Sequence, residues 1–337
     1  MAGGTASGLT LTLLAGAMSG NCMLPMKFVQ QWRWENIWLV FSLLSLFVLP
    51  WTLALVLVRD LFGVYSHISA DVYAVPLIFG AGWGIAQILF GISVQRLGMG
   101  LGYAIIVGLG AVLGTLVPLF VGQHRLVSNA AVLFVVLGVV VMVLGIALTT
   151  WGGRLVERTT KLSSGTEQSS GYTAAVLLAV LCGFMAPMLN YAFAFGHRLA
   201  DVAVSHGNAP VRAAYAVWPI ALLGGLIPNS LYSLILVRKN DSWRLFGSRP
   251  VDGSWPVLMA ILWMGAFALY GMSSVYIGAL GTSVGWALFQ IFMILAATLS
   301  GVLTGEWKRA TGTASALLYG GIASLIGATV LLAFGSR

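Results

Sequence analysis

Ten stretches of about 20 apolar residues fill this chain, and no other feature limits its fold so strongly. They run roughly Leu9–Met26, Ile37–Val58, Ala74–Val94, Gly100–Val121, Ala130–Thr150, Tyr172–Phe195, Val211–Val237, Trp255–Ile277, Gly281–Leu303 and Thr313–Phe334. A run of this length with few charges can cross the hydrocarbon core of a bilayer as a helix. Lipid offers no partner to backbone N–H and C=O groups, so each run must satisfy them internally. The weak apolar–polar alternation of an outer-membrane barrel is missing. The expected fold is all-α and integral to a membrane, with ten transmembrane helices. The chain is 59% hydrophobic and 8% charged, whereas about a quarter of a soluble protein's residues are charged.

The basic residues predict the topology. Taken by alternate connections, one side collects Lys27, Arg33, Arg96, Arg154, Arg158, Lys161, Arg238, Lys239, Arg244, Arg249, Lys308 and Arg309, and the other Arg59, Arg125, Arg198, Arg212 and Arg337. The positive-inside rule makes the richer side cytoplasmic and puts both termini outside. The expected location is a bacterial-type inner membrane, with lipid as the surrounding partner. These charges cap helices and form no basic domain, so the net charge of +8 gives no support to nucleic-acid binding. The first run is expected to remain as a permanent helix, because no Lys or Arg precedes it and Pro25 and Lys27 close it.

A stretch that occurs twice divides the chain. Leu97 to Ala104 reads LGMGLGYA and Leu280 to Ala287 reads LGTSVGWA, an offset of 183 residues that sets Tyr103 against Trp286. The same offset matches Thr115-Leu116 with Thr298-Leu299 and Gly138 with Gly321, and Met23-Leu24-Pro25-Met26 resembles Met185-Ala186-Pro187-Met188. Five runs precede a polar, Ser/Gly-rich stretch at the midpoint, so the second five must enter the membrane inverted. The expected organisation is two inverted five-helix repeats, residues 1–151 and 172–337, joined by a cytoplasmic linker over 152–171.

Candidate solute contacts are the polar and aromatic residues inside the runs. In the third run Gly80, Gly82, Gly84 and Gly91 are expected to leave open space beside Trp83 and Gln87, which stand one helical turn apart on one face. An amide one turn from a large ring suits a sugar, whose C–H face stacks on the ring while its hydroxyls bond the amide. Trp286 and Gln290 repeat that spacing, Tyr270 takes the aligned place of Gln87, and Asn21 and Asn190 lie in the two Met-x-Pro-Met helices. Trp32 and Trp34 are expected to anchor at the membrane interface, Leu49-Pro50-Trp51 to bend the second helix, and Pro219, Gly224-Gly225 and Pro228 to make the seventh irregular. The fifth run, rich in Val and Leu, is expected to support the fold without touching solute. Cys22 and Cys182 read as small apolar packing residues.

No carboxylate, Lys or Arg stands mid-run. A charge there costs about 2.5–3.5 kcal/mol on insertion scales and is kept mainly for function. No catalytic set, metal-ligand cluster or phosphate-cradling loop assembles either, so neither enzymatic activity, a cofactor nor a metal is expected. A neutral, hydroxyl-rich or amphipathic solute is. For a coupled proton, Glu306 at the end of the ninth run is the candidate.

The chain resembles the L-rhamnose–proton symporter family of the drug/metabolite transporter superfamily. The resemblance rests on Pro25, Lys27 leading to Trp32-Arg33-Trp34-Glu35, Leu49-Pro50-Trp51, Phe79-Gly80-Ala81-Gly82-Trp83-Gly84-Ile85, Leu97-Gly98-Met99 with Gly102, Gly114-Thr115-Leu116 with Pro118, and Glu306-Trp307. It implies uptake of a neutral deoxyhexose driven by a proton gradient, through alternating access. The alternatives are a transporter or exporter of another sugar or of a small amphipathic metabolite, and a non-transporting membrane scaffold or sensor. The last needs an exposed partner surface or soluble module, and the sequence shows neither.

Overall fold

The computed structural model describes residues 2–97, 99–161, 172–305, 307–308 and 310–336. They contain ten helical spans long and apolar enough to cross a membrane, and no strand. The spans are α1 (Ala2–Asn21), α2 (Trp34–Leu57), α3 (Ala70–Leu97), α4 (Met99–Val121), α5 (Asn129–Lys161), α6 in two pieces (Tyr172–Met185 and Met188–Phe195), α7 (Val217–Lys239), α8 (Ser254–Ile277), α9 (Gly281–Leu303) and α10 (Gly312–Gly335). Ten crossings bring both chain ends to one end of the bundle, the terminal end. The other, basic end carries the Lys27–Arg33 and Arg238–Asp252 connections.

Prolines set the breaks. Pro25 follows the end of α1 and opens a tight turn over Leu24–Phe28. Pro187 has no N–H for the carbonyl one turn back, and α6 breaks there into its two pieces. The bend expected near Pro50 takes the form of one wide π turn, Leu44–Val48, just before the proline. The seventh helix, expected to be irregular, is continuous from Val217 to Lys239 with Pro228 inside it. Beyond Phe195 the chain forms a further short helix, His197–Ser205. Half of the expected linker is also helical: α5 runs on to Lys161, and within it Gly152 lies against the Ala314 carbonyl at the start of α10. Residues 162–171 lie outside the described set.

Packing pairs helices distant in sequence. α1 lies along α8 and α9, while α6 lies along α3 and α4; α5 runs beside α10, α7 crosses α3 and α2, and α4 meets α9. Backbones approach closely where glycine permits it. A Cβ at Gly80 would stand 1.8 Å from the Ala221 carbonyl oxygen, and one at Gly224 would stand 2.2 Å from that of Leu77. Gly84 faces Gly225, and Gly82 is covered by the Met188 sulfur. The third-helix glycines therefore seat α7 and α6 rather than leaving room around Trp83 and Gln87; only Gly91 among the four has open space beside it. Cys22 and Cys182 are buried and unbonded to each other, as expected of packing residues, and Cys182 donates to the Ala86 carbonyl at 3.1 Å.

Side chains fasten both ends. At the basic end buried Asp252 accepts from the backbone N–H groups of Gln31 (2.7 Å), Trp32 (3.2 Å) and Gln30 (3.3 Å), with Arg249 beside it at 3.6 Å. Asn240 donates to Glu35 at 3.0 Å and Asn36 to the Ser242 carbonyl at 3.0 Å. Trp32 packs edge-on against Phe246, so it belongs to this cap, while Trp34 stacks on Trp38 and is 37% exposed, as an interface anchor would be. At the terminal end buried Asn208 bonds the N–H and carbonyl of Arg59 and the carbonyl of Ala203.

Gly80→Val is expected to cost about 1–3 kcal/mol by forcing apart two helix backbones, read as a lower melting temperature of the purified protein. Gly91→Ala should melt with the parent. Equal melting of both variants would show that the α3–α7 crossing tolerates separation.

Candidate functional site

The break in α6 carries the most connected polar group of the interior. Asn190 follows Pro187 by three residues, is fully buried, and donates through Nδ2 to the carbonyls of Gly114 on α4 (2.9 Å) and Thr282 on α9 (2.9 Å). Its Oδ1 accepts from the Tyr270 hydroxyl on α8. Trp286, one turn into α9, donates from Nε1 to the Gly110 carbonyl at 3.1 Å and lies edge-on to Tyr270 at 5.8 Å. Four helices thus meet through one amide, one phenol and one indole.

An aromatic layer extends from this point across the bundle. Tyr270 and Trp286 both contact Phe289; Phe289 lies 5.4 Å from Phe267, Phe267 4.5 Å from Trp263, and Trp263 stacks on Trp83 at 5.4 Å. Phe193 stacks on Trp218 at 4.8 Å and joins the layer through Tyr270. Among the described residues no charged side chain enters it.

Of the residues singled out from sequence, Asn190, Tyr270 and Trp286 come together, and Trp83 reaches them through Trp263 and Phe267. Gln87 and Gln290 each stand four residues from their tryptophan, about 6 Å along the helix toward the basic end. Gln87 is half-buried and Gln290 is 7% exposed, yet neither amide hydrogen-bonds to a described residue. Neither amide is among the polar side-chain atoms buried without a partner, so both stay within reach of water or a solute. Asn21 does not join this group. It lies at the basic end, donating to the Ala17 carbonyl at 2.8 Å and accepting from Ser300, beside a hollow of about 160 Å³. It precedes Pro25 whereas Asn190 follows Pro187, so the two asparagines are not equivalent in the two helices. Glu306 lies outside the described residues. The expected supporting role of α5 fits its packing along α10, where Gly138 and Gly145 receive Leu332 and Leu325.

Sequence reasoning missed Trp263, Phe267 and Phe289, which look like ordinary apolar positions of long runs. It also missed a larger cavity of about 290 Å³ at the terminal end, whose lining includes Gln123, His197, Asp201 and Thr282.

The profile of a protein family described as L-rhamnose-proton symport protein matches residues 4–336. Proteins named L-rhamnose-proton symporter from Salmonella typhimurium and Salmonella newport are each 29% identical over 332 residues, covering 96% of this chain and 96% of theirs.

Tyr270→Phe leaves Asn190 Oδ1 buried without a donor and is expected to cost about 1–3 kcal/mol. Asn190→Ala strands three partners and should cost more. In a double-mutant cycle followed by thermal melting the pair is expected to be non-additive by at least about 0.5 kcal/mol. Strictly additive losses would mean the two side chains do not share a bond.

Proposed function

The chain belongs to the L-rhamnose-proton symport protein family, and from that membership we propose that this multi-pass membrane protein takes up L-rhamnose together with a proton. It is a carrier and not an enzyme. The observation that carries the solute assignment is the pair of unpartnered amides, Gln87 and Gln290, beside the Trp83-to-Trp286 aromatic layer. Rings offer a surface to the apolar C–H face of a deoxyhexose, and amides both donate to and accept from its hydroxyls. Asn190 and Tyr270 shape the terminal-end wall of this site, and Asn21 with Ser300 lines the way out at the basic end.

Transport proceeds by alternating access between two inverted repeats, residues 1–151 and 172–337, with the cytoplasmic connection between them. Support comes from the packing: α1 lies on α8 and α9 as α6 lies on α3 and α4, and α5 pairs with α10. Exchanges of this kind are what a two-fold axis in the membrane plane produces. The repeat fits placement in the drug/metabolite transporter superfamily. The bias of basic residues supports both termini outside a bacterial-type inner membrane.

The proton needs a titratable group, and the described interior supplies no carboxylate at mid-depth. Glu306 remains the proposed carrier. The 183-residue offset matches Gly122-Gln123 with Gly305-Glu306, so the second half has a carboxyl where the first has an amide. Glu35, buried and bonded only to the neutral Asn240 amide among described side chains, is the alternative. Asp252 serves as a fastener instead, since three backbone donors and Arg249 engage it. The density of rings in the layer favours one second reading, transport of a small amphipathic metabolite.

Labelled L-rhamnose is expected to accumulate in liposomes bearing the purified protein when an inward proton gradient is imposed. Equilibration that ignores the gradient would keep the sugar and remove symport. No uptake by folded protein would remove the sugar. The double variant Gln87→Ala with Gln290→Ala should lower uptake at least about tenfold with normal membrane insertion, and unchanged uptake would sink the assigned site. Glu306→Gln is expected to let sugar equilibrate without accumulating; if only Glu35→Gln does so, the carrier is Glu35.

A further inference from the structure

The terminal-end cavity ends on a polar wall that the central site does not use. Gln123 stands on the connection between α4 and α5, and both ends of its amide are engaged by consecutive residues in the first turn of α9. Its Nε2 donates to the Thr282 hydroxyl and its Oε1 accepts from the Ser283 hydroxyl. Thr282 also gives its backbone carbonyl to Asn190 Nδ2 at 2.9 Å. Gln123 and Thr282 line the cavity of about 290 Å³, with His197 and Asp201 on its rim. One amide, two hydroxyls and a peptide carbonyl therefore separate an open cavity from Asn190 and Tyr270.

The chemistry of that wall decides what can pass it. An apolar solute pressing between α4 and α9 would leave the amide and both hydroxyls without partners, which is costly away from water. A sugar presents vicinal hydroxyls that donate and accept as Thr282 and Ser283 do, so each lost bond is replaced in kind. The exchange also reaches inward, because movement of the first turn of α9 shifts the Thr282 carbonyl that holds Asn190.

We propose that the terminal-end cavity is an access subsite for a monosaccharide and that Gln123 is its gate, opened when two sugar hydroxyls replace Thr282 and Ser283 on the amide. This rests on the sugar-transport reading above. It adds a binding position on the approach and makes Gln123 a specificity-determining residue for polyols.

The test uses the full-length chain carrying Ala194→Cys, a half-buried lining position, after sugar uptake by this variant in liposomes has been measured. The readout is the rate of modification by a membrane-impermeant thiol reagent as L-rhamnose is added; both native cysteines are buried. Rhamnose is expected to slow modification several-fold, and adding Gln123→Ala should raise the half-protecting concentration at least about fivefold. A Gln123 that only braces the fold would lower the melting temperature and leave that concentration unchanged, which overturns the gate. Uptake that persists while modification ignores rhamnose overturns the subsite and leaves the transport reading standing. Absence of both uptake and protection in folded protein overturns the two together.

Discussion

In a hydrocarbon interior a side-chain amide must find partners on whatever backbone lies within reach, and Asn190 reaches three helices at once. It can do so because Pro187 breaks α6 and turns the chain just before it. The carbonyls of Gly114 and Thr282 and the hydroxyl of Tyr270 then fix where α4, α9 and α8 stand relative to that break. The tryptophan of the α9 repeat stretch takes its place from the same arrangement, donating to Gly110 one turn along α4. Removing the amide would strand groups on three helices, so its effect exceeds that of any one hydrogen bond.

The crossing pattern puts rigidity and freedom in different places. Between α3 and α7 the contact is backbone on backbone, through Gly80, Gly84, Gly224 and Gly225, and Asn229 ties it further by bonding Gly84, Gly225 and the Trp38 indole. Between α4 and α9, by contrast, the contact at the terminal end is made by side chains, Gln123 with Thr282 and Ser283. Side chains change rotamer far more readily than helices change separation, so at this end the α4–α9 contact rests on the more mobile groups.

What the sequence made legible follows from the range of each interaction. The ten spans were readable because hydrocarbon thickness acts on each run independently, and the close of α1 at Pro25 because a missing N–H is a local fact; the break at Pro187 inside the sixth run was not read. The glycines of α3 read as open space beside Trp83 and Gln87 but seat α7 and α6 instead, since nothing in residues 80–84 says which helix will cover them. Tyr270 and Asn190 stood out as polar residues in apolar surroundings; that each would be the other's partner depends on a contact spanning 80 positions. Trp263, Phe267 and Phe289 carried no signal because a ring in a long apolar run looks the same whether it faces lipid or a site. Nothing in the sequence around Gln123 marks it, and only its contact with α9 gives it a role.

The housing of α1 has a consequence for how the chain is made. Gly16 and Gly20 sit against the backbone of α9 around Phe292 and Met293, and Thr12 bonds Ser273 on α8. Those partners lie more than 250 positions downstream. At about 5–20 residues per second of synthesis, α1 leaves the ribosome roughly 10–50 s before them. Carrying no charge between Ala6 and Cys22, it can wait alone in lipid during that interval, exposing a face of small residues that neighbouring nascent helices are able to occupy. Its correct seat becomes available only when the stretch that forms α8 and α9 is delivered, so a span that enters the membrane well before them is among the last to be locked in place.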